Sequence, residues 1–209
     1  MSAAPEYYKW VRTELLDLLP REAALERVLD VGCGSGATGE YLKNHYNAHY
    51  VVGIEKNPEA ARTAREKLDA VIIGNAEDPF LPIESSPFDL VLMGDILEHL
   101  VDPWQTLARY KDCLQPQGIL LASIPNIQHW RTVGRLLRGH WTYQDGGTLD
   151  RTHLRFFTRK SIRHLFAQAG LKIDTLRFKM GPEVKLFNLL TLGLFRDFLA
   201  YQYLILARR

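Results

Sequence analysis

With 209 residues, 46% hydrophobic and 24% charged, the chain has the size and composition of one globular domain with a full core. A net charge of +2 points to neither a globally basic nucleic-acid binder nor an acidic tail. Its two cysteines, Cys33 and Cys113, form no C-x-x-C pattern, which excludes a disulfide framework and fits a reducing, cytoplasmic setting.

The N-terminal stretch carries Glu6, Lys9, Arg12, Glu14 and Asp17 and does not read as a signal peptide. Its spacing predicts an amphipathic helix over 5–19, with Trp10, Leu15, Leu18 and Leu19 on the apolar side and Pro20 as its stop. Residues 28–31 form a short apolar strand that breaks into Gly32, Gly34 and Gly36, and a helical pattern follows over 37–46. Strand, glycine loop and helix is the nucleotide-binding arrangement, because glycine lets backbone approach a ligand closely. The spacing is G-x-G-x-G, so it is neither the dinucleotide G-x-G-x-x-G nor a P-loop.

A second strand over 50–54 ends in Glu55, about where a ribose-binding carboxylate sits in a βαβ unit. Asn57 and Pro58 open a helix over 58–68. A third strand, 70–73, runs into Gly74-Asn75-Ala76-Glu77-Asp78, and a fourth covers 88–93. Asp102-Pro103 starts a helix that runs through Cys113, and a fifth strand covers 118–124. This alternation predicts a parallel sheet with helices on both faces.

The last third departs from that rhythm. Residues 126–147 are too long and too aromatic for a bare connection, and Arg131, Arg135 and Arg138 recur at helical spacing. A helix over 158–169 with Thr158 as cap, a strand over 171–180, a helix over 184–199 and a strand over 201–207 complete the chain. Arg196 and Asp197 argue against a membrane span over 186–207, since each charge there costs about 3 kcal/mol. Peripheral membrane contact stays open.

The fourth strand ends in Gly94-Asp95-Ile96-Leu97-Glu98-His99-Leu100. Ligands bind at the carboxyl ends of strands in open parallel sheets, so this segment should face a site. On a helix Asp95, Glu98 and His99 share one face, a plausible divalent metal site. Three plainer roles remain beside it: Asp95 as a cap, Glu98 paired with Arg151 or Arg155, and His99 as a metal-free base. His129 and His140 read as loop residues.

Together the motif Val28-Leu29-Asp30-Val31-Gly32-Cys33-Gly34-Ser35-Gly36 and the acid at Glu55 resemble the class I S-adenosylmethionine (SAM)-dependent methyltransferases. The resemblance runs from about Tyr7 to the C-terminus. It implies a Rossmann-like, doubly wound α/β fold with a seven-stranded sheet, mostly parallel with an antiparallel C-terminal strand. It also implies one methyltransferase domain over 1–209, with a basic aromatic lid at 126–157 and the helix over 5–19 covering the cofactor cleft near Tyr7 and Tyr8. SAM is the implied cofactor, held by Asp30, Gly32, Cys33, Gly34 and Gly36, by Glu55 at the ribose and by Asn75 and Ala76 at the adenine. Asn75 stands where the family commonly has Asp, and its side-chain carbonyl can still accept the adenine hydrogen bond. Cys33 fills a small slot in the loop, and Asp95 also meets cofactor.

The Asp95-x-x-Glu98-His99 pattern is similar to the E-x-x-E-H motif of two metal-using branches, the ubiquinone-biosynthesis O-methyltransferases and the small-RNA 3′-end 2′-O-methyltransferases. Here the first position is one methylene shorter, and His153 matches the later histidine of the RNA enzymes. The segment 149–158 looks closer still to bacterial polysaccharide-associated methyltransferases. Asp95, Glu98, His99 and His153 are thus the candidate ligands of Mg²⁺ or Mn²⁺, and His99, Glu98 and His153 the candidate catalytic residues.

Neither the Asn/Asp-Pro-Pro-aromatic motif of nucleic-acid amino methyltransferases nor a Pro-Cys nucleophile is present, so oxygen is the expected acceptor. Between residues 126 and 164, Arg131, Arg135, Arg138, Arg151, Arg155, Arg159, Lys160 and Arg163 outnumber Asp145 and Asp150. That is either a solvated basic face or a lid for an anionic substrate such as a sugar or glycan intermediate. The alternatives are RNA ribose 2′-O-methylation, for which the chain has no separate RNA-binding module, and a non-catalytic SAM-binding partner protein. The oligomeric state is left open.

Overall fold

Residues 10–209 are described by a computed structural model. Seven strands form one sheet: β1 (Arg27–Val31), β2 (Tyr50–Glu55), β3 (Ala70–Ile73), β4 (Phe88–Gly94), β5 (Leu114–Pro125), β6 (Lys172–Met180) and β7 (Ala200–Arg208). Their order is β3-β2-β1-β4-β5-β7-β6. The first five pair in parallel, and β7 runs antiparallel to both β5 and β6. The helices are α1 (Thr13–Leu16), α2 (Ala37–Tyr46), α3 (Pro58–Ala64), α4 (Pro103–Asp112), α5 (Trp130–Leu136), α6 (Arg159–Gln168), α7 (Pro182–Leu190) and α8 (Arg196–Leu199). The expected Rossmann-like sheet, with its antiparallel closing strand, is the one observed.

Burial explains why the central strands read as near-continuous apolar runs. One core packs Leu29, Val52, Val91 and Tyr110 on one face of the sheet, and a second packs Val28, Leu42, Val51 and Leu90 on the other. Strand order reverses between β1 and β4, so the crevice at their carboxyl ends is the natural ligand site. The helix caps follow their sequence signals. The Asn57 side chain accepts from the Glu59 and Ala60 amides at 2.9 and 3.2 Å, Asp102 accepts from Gln105 at 3.0 Å, and Thr158 forms a capping box with Ser161.

Several expectations give way. The helix expected over 5–19 is a single turn, α1; residues 10–12 are not helical, and residues 5–9, with Tyr7 and Tyr8, lie outside the described residues. Arg12 leaves helical geometry there (φ −87°, ψ 55°), and its guanidinium reaches Asp95. The helix expected over 58–68 ends at Ala64 and tightens into turns. The helix expected over 184–199 breaks into α7 and α8, because Leu192 and Gly193 both take left-handed backbone (φ 50° and 74°). Residues 95–99 are not an α-helix: Asp95 is left-handed (φ 53°), and a 3₁₀ turn follows over Leu97–His99. No helix among the described residues is long and apolar enough to cross a membrane.

Candidate active site

The glycine loop hangs from β2, with the Gly32 and Cys33 amides donating to the Ile54 carbonyl at 2.8 and 3.0 Å. Gly32 is left-handed (φ 76°), and a Cβ there would lie 2.7 Å from Ile96 Cδ1, so only glycine lets the loop meet the 95–99 segment. Gly36 (φ 76°) opens α2 against α3, where a Cβ would lie 3.1 Å from Ala64 Cα. The buried Glu55 carboxylate spans the loop, accepting from the Gly34 amide at 3.0 Å and the Asn57 amide at 2.8 Å.

Asp30 sits at the base of this loop, buried, with Oδ2 left without a hydrogen-bond partner. Burial pushes its carboxyl up to about 7; Arg12 opposes that shift and Glu55 adds to it. Burial, reinforced by Asp30 and Glu55, also pushes the Cys33 thiol up, which keeps it protonated and unfit as a nucleophile. Its sulfur covers Gly53, where a Cβ would lie 2.6 Å from Sγ. The Asn75 side-chain oxygen accepts from the Glu77 amide at 3.1 Å, and the Ala76 carbonyl takes the Tyr110 hydroxyl at 3.1 Å. The loop after β3 is thereby pinned.

At the other end of the cleft the backbone brings two distant segments together. Leu154 and Arg155 donate their amides to the Glu98 carbonyl at 2.8 and 3.0 Å, which clamps the 148–155 loop onto the 3₁₀ turn. The clamp stacks His153 edge-on to His99, ring centroids 4.7 Å apart. His99 Nδ1 lies 3.2 Å from the Thr152 carbonyl, and His153 Nδ1 lies 3.1 Å from the Thr148 carbonyl. A backbone carbonyl can only accept, so each Nδ1 carries a proton in these contacts, and Nε2 is the ring nitrogen that a neutral imidazole offers as a ligand. Both Glu98 carboxylate oxygens are buried without a partner. Burial, then the nearby Asp95, raises this carboxyl well above the ordinary glutamate value. Burial and His153 lower the His99 imidazole. One ligand atom from each of Glu98, His99 and His153 lies within 4.8 Å of the others.

Asp95 lies outside that group. It accepts from Arg12 Nε at 3.2 Å, from the Ser123 hydroxyl at 2.6 Å and from Gln202. The helical premise that gave Asp95, Glu98 and His99 one shared face therefore does not hold. Nor does Glu98 pair with arginine: Arg151 pairs with Asp145 at 2.8 Å, and Arg155 donates to the Val101 carbonyl at 3.0 Å. Ser123 and Gln202 stand out in the sequence as polar breaks in apolar strands; Arg12 gives no such signal. Asn126, which the sequence marks only as the start of the 126–157 segment, is fully buried and ties it to α8 and β7 by donating to the carbonyls of Asp197 and Ala200 at 2.6 and 2.7 Å.

One cleft of about 1990 Å³ joins the glycine loop and Glu55 to Glu98, His99 and His153. Arg131, Arg135, Arg151 and half-buried His129 line it, whereas His140 does not. Several of the arginines between residues 131 and 159 have internal partners. Arg131 faces Glu183 at 3.7 Å, Arg138 donates to the Gly134 carbonyl at 2.9 Å, and Arg159 pairs with Asp197 at 2.9 Å.

Comparison with known proteins agrees with this architecture. A family model for a methyltransferase domain matches residues 6–176. The malonyl-[acyl-carrier protein] O-methyltransferase of Geobacter sulfurreducens is 28% identical over 187 residues, 86% of this chain and 70% of that protein. The ubiquinone biosynthesis O-methyltransferase of Aromatoleum aromaticum is 28% identical over 186 residues, 83% of this chain and 77% of that protein. A 37.1 kDa transposon protein of Streptomyces fradiae is 34% identical over 127 residues; the match takes in 59% of this chain and only 36% of that protein's length. Among solved structures, a SAM-dependent methyltransferase from Archaeoglobus fulgidus superposes with a TM-score of 0.70 at 18% identity, covering 98% of this chain and 97% of that one. The fold is that of the class I SAM-dependent methyltransferases. The chain belongs to the methyltransferase-domain family.

Proposed function

We propose that the chain acts as one methyltransferase domain that moves the methyl group of SAM to an oxygen of a small, anionic acceptor such as a sugar or glycan intermediate. The observation that carries this reading is the juxtaposition, in one cleft, of a nucleotide-type glycine loop and the Glu98, His99 and His153 cluster. The residues at the loop fit SAM. Asp30 offers a buried, unpartnered carboxylate oxygen to the cofactor's amino group, and Glu55 stands over the loop where ribose hydroxyls would meet it. Asn75 keeps one carbonyl lone pair beyond its bond to Glu77 for the adenine amino group. The sulfonium supplies a methyl that is already activated.

The protein's share is to align an acceptor hydroxyl and take its proton. Glu98, His99 and His153 would hold Mg²⁺ or Mn²⁺ through one carboxylate oxygen and two Nε2 atoms, lowering the pKa of a coordinated hydroxyl. A buried carboxylate with no partner, beside two imidazoles whose Nδ1 protons are already committed, supports a cation over an apolar role. Residues 126–157 serve as the lid, where Arg131 and Arg135 meet the acceptor's negative charge. The ubiquinone-biosynthesis relative, an O-methyltransferase by name, supports oxygen as the acceptor. The RNA reading is weaker, because Arg151 and Arg159 pair with Asp145 and Asp197, and Arg138 and Arg155 are tied to the Gly134 and Val101 carbonyls.

The test is a calorimetric titration of Mn²⁺ into protein saturated with S-adenosylhomocysteine. One-site binding that disappears in His99→Ala supports the metal-assisted reading. Lack of Mn²⁺ binding by the unsubstituted chain refutes it and leaves a neutral His99 as the base.

A further inference from the structure

The connection between β6 and β7 is built unlike the rest of the molecule. α7 buries none of its residues, although its sequence is rich in leucine. Leu190 is 73% exposed, and beyond it Leu192 and Leu194 are 95% and 79% exposed. Leu186, Phe187 and Leu189 extend the same apolar surface. Single exposed leucines need no explanation, but a contiguous patch of this kind marks an interaction surface.

The charges beneath it are of one sign. Both acids of the segment are drawn away, Glu183 toward Arg131 at 3.7 Å, and Asp197 onto Arg159 at 2.9 Å and the Tyr203 hydroxyl at 3.2 Å. Lys185, Arg196 and Arg177 of β6 line a groove of about 700 Å³ between α7 and the sheet edge, and no acid shares that lining. Among the described residues none of the three has a carboxylate partner. Asn188 Oδ1 is buried in the same groove without a hydrogen-bond partner.

We propose that α7, the 191–195 turn and α8 dock the protein on an anionic phospholipid bilayer, with the leucines in the acyl–headgroup boundary and Lys185, Arg196 and Arg177 at the phosphates. Apolar side chains at a tip with cations behind them are the pattern of an interfacial anchor, which inserts about 5–10 Å without crossing. A bilayer suits this surface better than a second copy of the chain. Two-fold pairing would bring two sets of the same three cations together with no acids between them. Side chains as free as Leu192 and Leu194 also suit a deformable medium better than a flat protein face.

The position of the segment adds a consequence. Lys179 lies just before it and Tyr201 and Gln202 just after it, and all three line the cleft. Docking would therefore hold the cleft rim at the membrane surface. The inference stands apart from the acceptor chemistry proposed above.

Co-sedimentation with vesicles tests it, comparing pure phosphatidylcholine with phosphatidylcholine containing phosphatidylglycerol. The full chain should bind the anionic vesicles, bind the neutral ones weakly, and lose affinity as salt rises. A Leu192→Asp/Leu194→Asp double variant should lose about tenfold or more of the anionic-vesicle affinity. Aspartate tolerates the left-handed backbone at position 192, so this variant should keep its fold. Lys185→Glu/Arg196→Glu should lose the preference for anionic lipid. S-adenosylhomocysteine binding should stay unchanged in both variants, which separates failed docking from failed folding. Failure of the unsubstituted chain to bind anionic vesicles would overturn the proposal, as would binding that both variants leave intact. So would a dimer that the leucine variant dissociates while vesicles are ignored, since the face would then belong to a second copy.

Discussion

Replacing Asp30 by asparagine should shift the relative stability of the cofactor-free protein in the variant's favour as pH rises, while weakening the cofactor site. Folded Asp30 keeps its proton up to about 7, whereas the unfolded chain releases it near 3.8. Between those values folding takes up a proton. This contribution to stability is therefore complete below the unfolded value and is lost as pH rises through about 7. The shift is about three pK units, at about 1.4 kcal/mol each, so ionised Asp30 costs the fold on the order of 4 kcal/mol at alkaline pH. At about pH 5 less than half of that is incurred, because the unfolded chain is only about one unit past its own pKa. An asparagine side chain does not titrate, and any fixed cost of its buried amide is the same at both pH values. The stability difference between Asp30→Asn and the unsubstituted chain should therefore move by about 2–3 kcal/mol in the variant's favour between about pH 5 and pH 8. For a chain of this size that is a change of about 5–10 °C in relative Tm, readable by thermal denaturation of cofactor-free protein at both pH values. S-adenosylhomocysteine affinity should fall about tenfold or more, if the carboxylate proposed to meet its amino group does so. A Tm difference that stays flat from acid to alkali would refute the premise that Asp30 is a buried, uncompensated acid.

Glu55→Ala should lower S-adenosylhomocysteine affinity by roughly a hundredfold or more in calorimetry, since the ribose site proposed for Glu55 would lose two charge-assisted hydrogen bonds. Undiminished binding would remove Glu55 from the ribose site. Gly36→Ala forces a left-handed alanine whose Cβ lies 3.1 Å from Ala64 Cα, and should cost about 2–4 kcal/mol. An unchanged denaturation midpoint would mean that α2 and α3 can move apart without penalty.

The cofactor half of the molecule was open to sequence reasoning because its determinants are local. Val28–Val31 with Gly32, Gly34 and Gly36 encode strand, loop and helix within a few residues, and Asn57, Asp102 and Thr158 cap their helices through contacts no more than three residues away. The errors came where a long-range contact decides local backbone. Asp95 takes φ 53° with Arg12, Ser123 and Gln202 around its carboxylate, and two of those partners are more than 80 residues distant. No helical periodicity over 95–99 could reveal that, so the shared face for Asp95, Glu98 and His99 was drawn on a helix that does not form.

The acceptor half shows the same physics from the other side. Glu98 and His153 are 55 positions apart, and what joins them is the backbone clamp from Leu154 and Arg155 to the Glu98 carbonyl, which has no side-chain signature. A resemblance supplied His153 as a candidate, whereas His129 and His140 read as loop residues. Eight cations between residues 126 and 164 leave a solvated basic face and an anion-gripping lid both open in the sequence; in the structure Asp197 and Asp145 pair with Arg159 and Arg151, and Arg138 and Arg155 turn to carbonyls. Of the three arginines of this stretch that line the cleft, Arg151 pairs with Asp145 at 2.8 Å and Arg131 faces Glu183 only at 3.7 Å, which leaves Arg135 and a loosely held Arg131, enough for a small anionic group and meagre for a polyphosphate track. Acceptor size is therefore better inferred from which cations lack internal partners than from their number in the sequence.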